Sequence, residues 1–373
     1  MLLRVLALLF LLAPFARAEA PPPPPIAARA WLLADLTGGQ PIAAQNADER
    51  IEPASLTKLM TAYLVFDALK KKAIAPEQTA PVSQRAWKAG GSRMFIEPRK
   101  PVTVDELLRG MIVQSGNDAT IALAELVAGS EEVFAQMMNR EAQRLGMKNS
   151  SFVNASGWPD PKHYSTARDL AVLAGSLIRD FPDYYTLYST KEYRYNNITQ
   201  PNRNRLLWLD PNVDGVKTGF TESAGYCLIA SAKRGPRRLL SVVLGTNSDG
   251  LRAQESQKLL NYGFPFYEVV RLYEKGQEVS RLRVWKGAAN ELRAGAAGGL
   301  NLVLPRGDAQ KLKADLVSEQ PLVAPVSAGQ RVGTIKVSLD GKPVGEYPVV
   351  ALESVAVAGI LGRTWDSMRL WLK

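Results

Sequence analysis

Three short motifs contain the side chains that could do chemistry in this sequence: Ser55-x-x-Lys58, Ser115-x-Asn117 and Lys217-Thr218-Gly219. A serine is a weak nucleophile at neutral pH and needs a base beside it. Residues three apart share one face of a helix, so the Lys58 amine can reach the Ser55 hydroxyl. Burial or a second cation lowers the pKa of a lysine, and its neutral amine can then act as that base. The first motif therefore predicts a nucleophilic Ser–Lys pair at the start of a helix.

Each motif alone has an ordinary structural alternative. A Ser-x-x-Lys pattern is expected about once by chance in a chain of this length. Ser115 and Asn117 are common helix-capping types, and Lys217 could end a strand as an exposed amine. The three motifs nevertheless occur once each and in this order along the chain. Their order and context favour a catalytic interpretation over three unrelated structural ones.

The composition excludes several other kinds of site. The chain has 373 residues, a formal net charge of +10, one histidine and one cysteine. A single cysteine closes no intramolecular disulfide and builds no cysteine-based metal site, and a single histidine rules out a two-histidine metalloprotease motif. A Ser-His-Asp hydrolase would have to use His163. We expect no metal and no cofactor, and we interpret Cys227 as a buried core thiol and His163 as a loop or site-rim residue.

The two ends of the chain indicate export and attachment to a membrane surface. Residues 1–18 have the charged, apolar and small-residue segments of a secretory signal peptide, and residues 19–27 form a proline-rich spacer. Near the C-terminus, Val357, Leu361, Trp365, Met368 and Leu372 recur at helical spacing. Segment 353–373 is therefore predicted to be an amphipathic helix, either bound in the plane of an anionic membrane or packed on its own domain.

Between these ends, the hydrophobic patterns predict an α+β fold with two domains. In residues 28–267, strand patterns at 28–35, 41–44, 224–233 and 238–246 surround helical stretches at 55–72, 103–109, 118–127, 131–145 and 166–178, and another helix is predicted at 251–262. This order predicts an antiparallel sheet with a helical cluster. Residues 268–352 contain only short strand patterns, an Asp340-Gly341 hairpin signal and a small-residue loop at 294–299, so we expect a small all-β domain.

The three motifs and their surroundings resemble penicillin-binding proteins and class A β-lactamases, and most closely the low-molecular-mass D-alanyl-D-alanine carboxypeptidases. The similarity also covers the stretches Glu52–Thr61, Ser115–Ala119, Tyr164–Asp169, Asn202–Asn204 with Leu206–Trp208, and Val213–Gly219. It implies a β-lactamase/transpeptidase-like fold, a small C-terminal β-domain and a C-terminal membrane-binding helix. The implied partners are a peptidoglycan pentapeptide ending in D-Ala-D-Ala, β-lactam antibiotics and an anionic membrane surface at the periplasmic face of the inner membrane.

The resemblance also implies a role for each matching residue. Ser55 would be acylated, Lys58 would take its proton, and Ser115 would pass a proton to the leaving D-alanine. The backbone N–H groups of Ser55 and Phe220 would form the oxyanion hole. The remaining residues would bind substrate: Asn117, Lys217, Thr218, Gly219, Phe220, Arg203 and Arg252.

Other functions remain open at this stage. The best-known family members have histidine where this chain has Phe220, which leaves a backbone donor intact but could change deacylation or substrate preference. The alternatives are a D,D-endopeptidase, a class A-like β-lactamase and a non-catalytic peptidoglycan-binding scaffold. No Glu-x-x-Leu-Asn segment lies between Asn117 and Lys217, which weighs against the β-lactamase. The positive charge alone suggests nucleic acid, but no aromatic-plus-basic module accompanies it, so we expect none to bind.

Overall fold

A computed structural model describes residues 20–371, and its larger domain is built on a five-stranded antiparallel sheet. The sheet consists of β1 (Ala30–Asp35), β2 (Gln40–Gln45), β7 (Val213–Thr221), β8 (Gly225–Arg234) and β9 (Arg237–Thr246). Their order is β2-β1-β9-β8-β7, so β7 is an edge strand. The signal-peptide prediction for residues 1–18 lies outside the described residues.

Helices cover both faces of this sheet. They are α1 (Lys58–Lys70), α2 (Gln84–Trp87), α3 (Val104–Val113), α4 (Asn117–Ala128), α5 (Glu131–Leu145), α6 (Ala167–Asp180), α7 (Pro182–Tyr185), α8 (Leu206–Leu209) and α9 (Asp249–Phe266). Leu32 of β1 packs with the helices inserted between β2 and β7, whereas its neighbour Leu33 packs with Leu259 and Leu260 of α9. Successive side chains of a strand point to opposite faces, so one strand contributes to two hydrophobic cores. Two further ribbons pair β3 (Thr79–Ala80) with β4 (Val102–Thr103) and β5 (Glu192–Tyr195) with β6 (Ile198–Pro201).

The helices begin where the sequence supplies a side chain to cap them. Thr103 and Glu106 form a complete capping box at α3, and the Thr166 hydroxyl accepts from the backbone N–H of Asp169 at α6. Each such cap satisfies a backbone N–H that has no partner within its helix. The predicted helices of the larger domain are therefore confirmed, with ends that shift by a few residues.

Residues 267–351 form the all-β domain. Its strands are β10 (Tyr267–Tyr273), β11 (Glu278–Trp285), β12 (Glu291–Ala296), β13 (Leu300–Pro305), β14 (Leu312–Ser318), β15 (Leu322–Val323), β16 (Arg331–Leu339) and β17 (Lys342–Ala351). The hairpin predicted at Asp340-Gly341 joins β16 to β17. The loop predicted at 294–299 is wrong in its first half, because Ala294 and Ala296 are buried in β12 between β11 and β17. Small side chains fit there because they lie against the core of this domain.

The two domains meet at a junction organised by Arg237. Its Nε donates to the buried carboxylate of Asp35 at 2.5 Å, and its Nη1 donates to the backbone carbonyls of Phe264 (3.1 Å) and Tyr267 (2.5 Å). The Gln40 amide oxygen accepts from the N–H of Val303 in β13 at 2.8 Å. A charge-assisted network of this kind fixes the start of the β-domain against the central sheet.

The C-terminal helix α10 (Ile360–Trp371) begins later than the sequence predicts. Segment 353–359 instead runs along the β-domain, where Val355 bridges to Val326 and Val357 bridges to Gly287. These pairings keep the segment extended and bury Val355, which is why the helix starts only after Gly359. The apolar side chains of α10 are exposed: Ile360, Leu361, Trp365, Met368 and Trp371. Within residues 20–371, no helix has the length and apolar character needed to cross a bilayer.

Candidate active site

Ser55 lies on a 3-10 turn, Ala54–Thr57, that leads directly into α1. The sequence predicted a continuous helix from Ser55, but the turn is tighter because Pro53 precedes it and Ala54 takes a φ of +46°. In a 3-10 turn, residues three apart are eclipsed, which brings the Ser55 and Lys58 side chains together. Lys58 Nζ lies 2.9 Å from Ser55 Oγ. The predicted contact is therefore confirmed, on a tighter turn than expected.

Lys58 is buried, and no carboxylate contacts its amine in the described chain. Besides Ser55, its Nζ donates to Asn117 Oδ1 (2.7 Å) and to the backbone carbonyl of Ser156 (2.8 Å). Burial, and secondarily the positive charge of Arg203, lower the pKa of Lys58 to about 7. When the amine is neutral, the Ser55 hydroxyl donates to it, so the pair has the geometry and the proton affinity of a nucleophile and its base.

The second motif lies at the junction between α3 and α4. Ser115 has a φ of +68° and Asn117 begins α4, so both side chains turn toward the first motif. The carboxylate of Asp118, which is fully buried, accepts from the backbone N–H groups of Met94, Phe95 and Ile96. It thereby ties the 92–96 loop to the base of the site. Asp118 lies within the stretch Ser115–Ala119 that resembles the family, but its type and position in the sequence indicated no role for it.

Lys217 reaches the second motif from the edge strand β7. Its Nζ donates to Ser115 Oγ at 2.9 Å and to the carbonyl of Thr218 at 3.1 Å. Burial lowers the pKa of Lys217 well below its usual range, and the nearby charges of Lys58, Arg203 and Arg252 act in the same direction. The site thus contains a second Ser–Lys pair, and its surplus positive charge favours an anionic ligand.

A loop after α5, which the sequence analysis missed, closes the site below the first pair. Asn154 Oδ1 accepts from the backbone N–H groups of Ser156, Gly157 and Trp158, and this holds the Ser156 carbonyl against Lys58. Gly157 has a φ of +82°, and a Cβ placed there would lie 1.8 Å from the Ala54 carbonyl oxygen. Only glycine allows the loop to approach the Ala54–Thr57 turn this closely.

We predicted His163 to be a loop or site-rim residue, and it lies in a loop. It is not at the rim of the site, because its side chain is buried against Thr57 of the turn that contains Ser55. Its Nδ1 accepts from the N–H of Val153 at 3.2 Å, which leaves Nε2 as the donor to Thr57 Oγ1 at 2.8 Å. Burial lowers its pKa to about 4, so the imidazole is neutral at pH 7. These contacts give His163 a structural role. Cys227 is buried as predicted, and burial raises the pKa of its thiol to about 11.

The predicted residues converge on a cleft of about 790 Å³. Arg203 is exposed there, and its side chain makes no hydrogen bond or ion pair with the described residues. Arg252 is buried and donates to the Gly219 carbonyl at 3.0 Å while pairing with Asp249, so it also supports strand β7. Phe220 is 48% exposed and packs on Tyr226. The cleft-lining residues predicted from sequence are Ser55, Ser115, Asn117, Arg203, Thr218, Gly219, Phe220 and Arg252, with Lys58 and Lys217 buried beneath them.

This geometry coincides with matches to two family models. Residues 16–248 match peptidase family S11, D-alanyl-D-alanine carboxypeptidase. The chain belongs to the D-alanyl-D-alanine carboxypeptidase family. Residues 267–357 match the C-terminal domain of penicillin-binding protein 5. The predicted resemblance and fold class are thereby confirmed, and the activity class is that of a serine peptidase that hydrolyses D-alanyl-D-alanine termini.

Individual carboxypeptidases of this family are similar over most of the chain. The D-alanyl-D-alanine carboxypeptidase DacC of Escherichia coli is 45% identical over 370 residues, which cover 96% of this chain and 92% of that protein. DacA of the same organism is 40% identical over 93% of this chain and 88% of its own length. Among solved structures, penicillin-binding protein 5 from Haemophilus influenzae superposes with a TM-score of 0.87 at 40% identity, covering 90% of this chain and 99% of that one.

Proposed function

We propose that Ser55 is the nucleophile of this carboxypeptidase and that Lys58 is its base. The observation that carries the proposal is the 2.9 Å contact between Ser55 Oγ and a buried lysine amine whose pKa is about 7. A base with a pKa close to the working pH is the most effective for general base catalysis. Asn117 and the Ser156 carbonyl orient this amine toward the serine.

The proposed substrate is a peptidoglycan pentapeptide that ends in D-Ala-D-Ala. Ser55 Oγ attacks the carbonyl carbon of the penultimate D-alanine, and the backbone N–H groups of Ser55 and Phe220 stabilise the oxyanion. The C–N bond breaks, Ser115 supplies a proton to the departing D-alanine, and an ester remains on Ser55. Water then adds to the ester carbon and gives its proton to the Ser115–Lys217 pair, which had supplied one to the leaving D-alanine. Lys58 returns the first proton to Ser55 Oγ, the ester C–O bond breaks, and the shortened peptide is released.

We propose that the second Ser–Lys pair, Ser115 and Lys217, protonates the leaving group and binds its carboxylate. Lys217 donates to Ser115 at 2.9 Å, so it can replace the proton that Ser115 gives away. The excess positive charge of Lys217 and Arg203 suits the terminal carboxylate, and the Thr218 hydroxyl lies on the same strand to accept or donate a hydrogen bond there. Arg252 and Gly219 complete this wall of the substrate site.

β-Lactams are proposed to acylate the same serine. Penicillin-binding protein D2 from Listeria monocytogenes, which is 31% identical and superposes with a TM-score of 0.61, has been solved in ampicillin-bound and cefotaxime-bound forms. A fluorescent penicillin should therefore label this protein covalently, and Ser55→Ala should abolish the label. Unchanged labelling of that variant would overturn the nucleophile assignment.

A peptide assay tests the leaving group. We expect the enzyme to release D-alanine from a pentapeptide ending in D-Ala-D-Ala, and Ser55→Ala to release none. Ser189→Ala is a matched control, because this exposed residue lies outside the cleft and, among residues 20–371, its hydroxyl hydrogen-bonds only the backbone carbonyl of Thr186. If cross-linked dimers are cut and pentapeptides are not, the D,D-endopeptidase alternative replaces the proposal.

We further propose that the protein is exported by its N-terminal signal peptide and held at an anionic membrane surface by α10. Asp366 accepts from the backbone N–H of Lys286 at 2.6 Å, so the helix docks on the β-domain by its polar side and presents its apolar side outward. Exposed tryptophans beside arginines suit in-plane binding to anionic lipid.

Combining Leu361→Glu with Trp365→Glu should abolish binding to phosphatidylglycerol vesicles, whereas Ser367→Glu, on the side facing Lys286, should reduce it only slightly. Equal loss in both would contradict this orientation.

A further inference from the structure

Glu52 is a carboxylate close to the nucleophile that the proposed mechanism does not use. It precedes Ser55 by three residues, and its side chain accepts hydrogen bonds from two hydroxyls of the turn between β7 and β8. Thr221 Oγ1 donates to Glu52 Oε1 at 2.8 Å, and Ser223 Oγ donates to Oε2. Thr221 Oγ1 also accepts from the N–H of Ala224 at 3.0 Å, so the carboxylate binds an ordered turn. In the part of the chain that the structure describes, Glu52 itself does not line the cleft, so it acts through the elements that it joins.

The two elements joined by Glu52 contain the two proposed donors of the oxyanion hole. The N–H of Ser55 lies at the start of the Ala54–Thr57 turn, where the first N–H groups have no acceptor within the helical turn. The N–H of Phe220 belongs to β7 and directly precedes Thr221. The two donors are far apart in the sequence. Contacts between the turn and the strand must therefore set the distance between them.

The direction of the Phe220 N–H is fixed from within the sheet. Arg252 Nη1 donates to the Gly219 carbonyl at 3.0 Å and to the carbonyl of Cys227 in β8 at 3.4 Å. The Gly219 carbonyl therefore points toward β8. Because a trans peptide group is planar, the Phe220 N–H points the opposite way, off the free edge of the sheet and toward the cleft. Arg252 thus orients this donor, but it makes no contact that fixes the distance to the other one.

The distance across the oxyanion hole depends on how β7 lies on the Ala54–Thr57 turn. A Cβ placed at Gly219 would lie 3.1 Å from the Pro53 carbonyl oxygen and 3.3 Å from Ala54 Cβ, so strand and turn touch almost backbone to backbone. Such a contact prevents closer approach but does not hold the two elements together. Glu52 supplies the attraction, since hydrogen bonds to a carboxylate are charge-assisted. The fixed φ of Pro53 makes the link from Glu52 to the turn stiff.

We propose that Glu52 is a positioning residue that holds the two N–H groups of the oxyanion hole at the separation required by the tetrahedral intermediate. The inference rests on the proposed acylation of Ser55 and on the proposed hole formed by the N–H groups of Ser55 and Phe220. An oxyanion develops both when the ester forms and when water attacks it, so the same donors serve both steps. Loss of the Glu52 bridge should therefore slow both steps and leave substrate binding nearly unchanged.

The kinetic test uses the full-length protein and Glu52→Met, which keeps the reach of the side chain and removes both acceptors. We expect kcat for diacetyl-L-Lys-D-Ala-D-Ala and the acylation rate constant for ampicillin to fall by about 10- to 100-fold, with KM changed by less than about threefold. Glu52→Gln, whose amide can accept from Thr221 and donate to Ser223, should stay within about fivefold of wild type. Glu125→Met is the matched control and should keep wild-type kinetics. This half-buried carboxylate also accepts from the hydroxyl of another element, Ser83, but lies outside the cleft.

The carbonyl stretching frequency of the ampicillin acyl-enzyme separates positioning from structural support. Hydrogen bonds in the oxyanion hole weaken the C=O bond of the Ser55 ester and lower its stretching frequency, which isotope-edited difference infrared spectroscopy measures. Glu52→Met should shift the band to higher frequency. Thr221→Val removes one hydrogen bond of the bridge from the other side, so it should shift the band in the same direction and provides the test if Glu52→Met does not fold.

Two results would overturn the inference. One is a lower melting temperature of Glu52→Met with unchanged kcat, which would show that the bridge only stabilises the fold. The other is a slower reaction with an unchanged carbonyl frequency, which would show that the oxyanion hole is intact without Glu52. If ampicillin does not acylate the wild-type protein, the proposed function fails before any variant is compared.

Discussion

The cleft contains two Ser–Lys pairs with the same 2.9 Å separation, one within a single turn and one between two elements, and the two lysines have different surroundings. Lys58 has three hydrogen-bond acceptors and the carboxylate of Asp118 nearby, which favours its charged form and leaves its pKa at about 7. Lys217 has two acceptors, and the charges that act on it are all positive. The first lysine is therefore poised as a base, whereas the second lacks the anion that a substrate carboxylate would supply.

The largest effect should come from removing the base. Lys58→Gln keeps a polar side chain of similar reach but has no amine to accept the serine proton. We expect kcat/KM for the pentapeptide to fall by about 10⁴-fold with KM little changed, because general base catalysis typically contributes up to this factor. Steady-state kinetics and the rate of penicillin labelling measure it. If kcat/KM falls by less than tenfold, Lys58 is not the base, and the proposed difference between Lys58 and Lys217 is contradicted.

Lys217→Gln should cost less and should act on binding. We expect kcat/KM to fall by about 10²-fold, mainly through KM, since the terminal carboxylate loses one cationic partner. A peptide whose C-terminus is amidated provides the control: wild-type enzyme should discriminate strongly against it, and the variant should not. If the variant discriminates as strongly as wild type, another residue receives the carboxylate.

The pH dependence of kcat/KM tests the role of Lys58 without mutation. Because the pKa of Lys58 is lowered to about 7, the amine is neutral above that pH and protonated below it. We expect kcat/KM to rise with pH through about 7, so that the value at pH 6 is about a tenth of the plateau. The residual activity of Lys58→Gln should not show this rise with pH. A wild-type profile that is flat from pH 5 to 8 would contradict a lysine base.

The last expected effect is on stability rather than on kinetics, and it concerns the loop that supports the first pair. Gly157→Ala should destabilise the protein by about 3 kcal/mol, since it combines a left-handed φ with a clash against the Ala54 carbonyl. Gly146→Ala at the end of α5 also has a φ of +82° but has open space around it, so it should cost only about 1 kcal/mol. Urea unfolding measures both. If both variants lose the same free energy of unfolding, the close approach of Gly157 to the Ala54 carbonyl does not add to the cost of the substitution.

Much of the fold was predictable because its signals are local. Helix periodicity and the Asp340-Gly341 hairpin signal act within a few residues, and each appears in the structure as predicted. Strand β12 was missed because its alanine and glycine residues resemble a loop until neighbouring strands bury them. The start of α10 was misplaced because Val355 and Val357 pair with distant residues of the β-domain.

The sequence by itself determined the Ser55–Lys58 pair, since three-residue spacing on one turn brings those side chains together whatever surrounds them. It also determined which residue types were available for the second pair. Only the tertiary structure decided that Lys217 meets Ser115, because those residues are 102 positions apart and approach through the edge of the sheet. The tertiary structure likewise decided the properties of both amines. A lysine becomes a base or an anion receptor through its burial and neighbouring charges, and three-dimensional packing sets both.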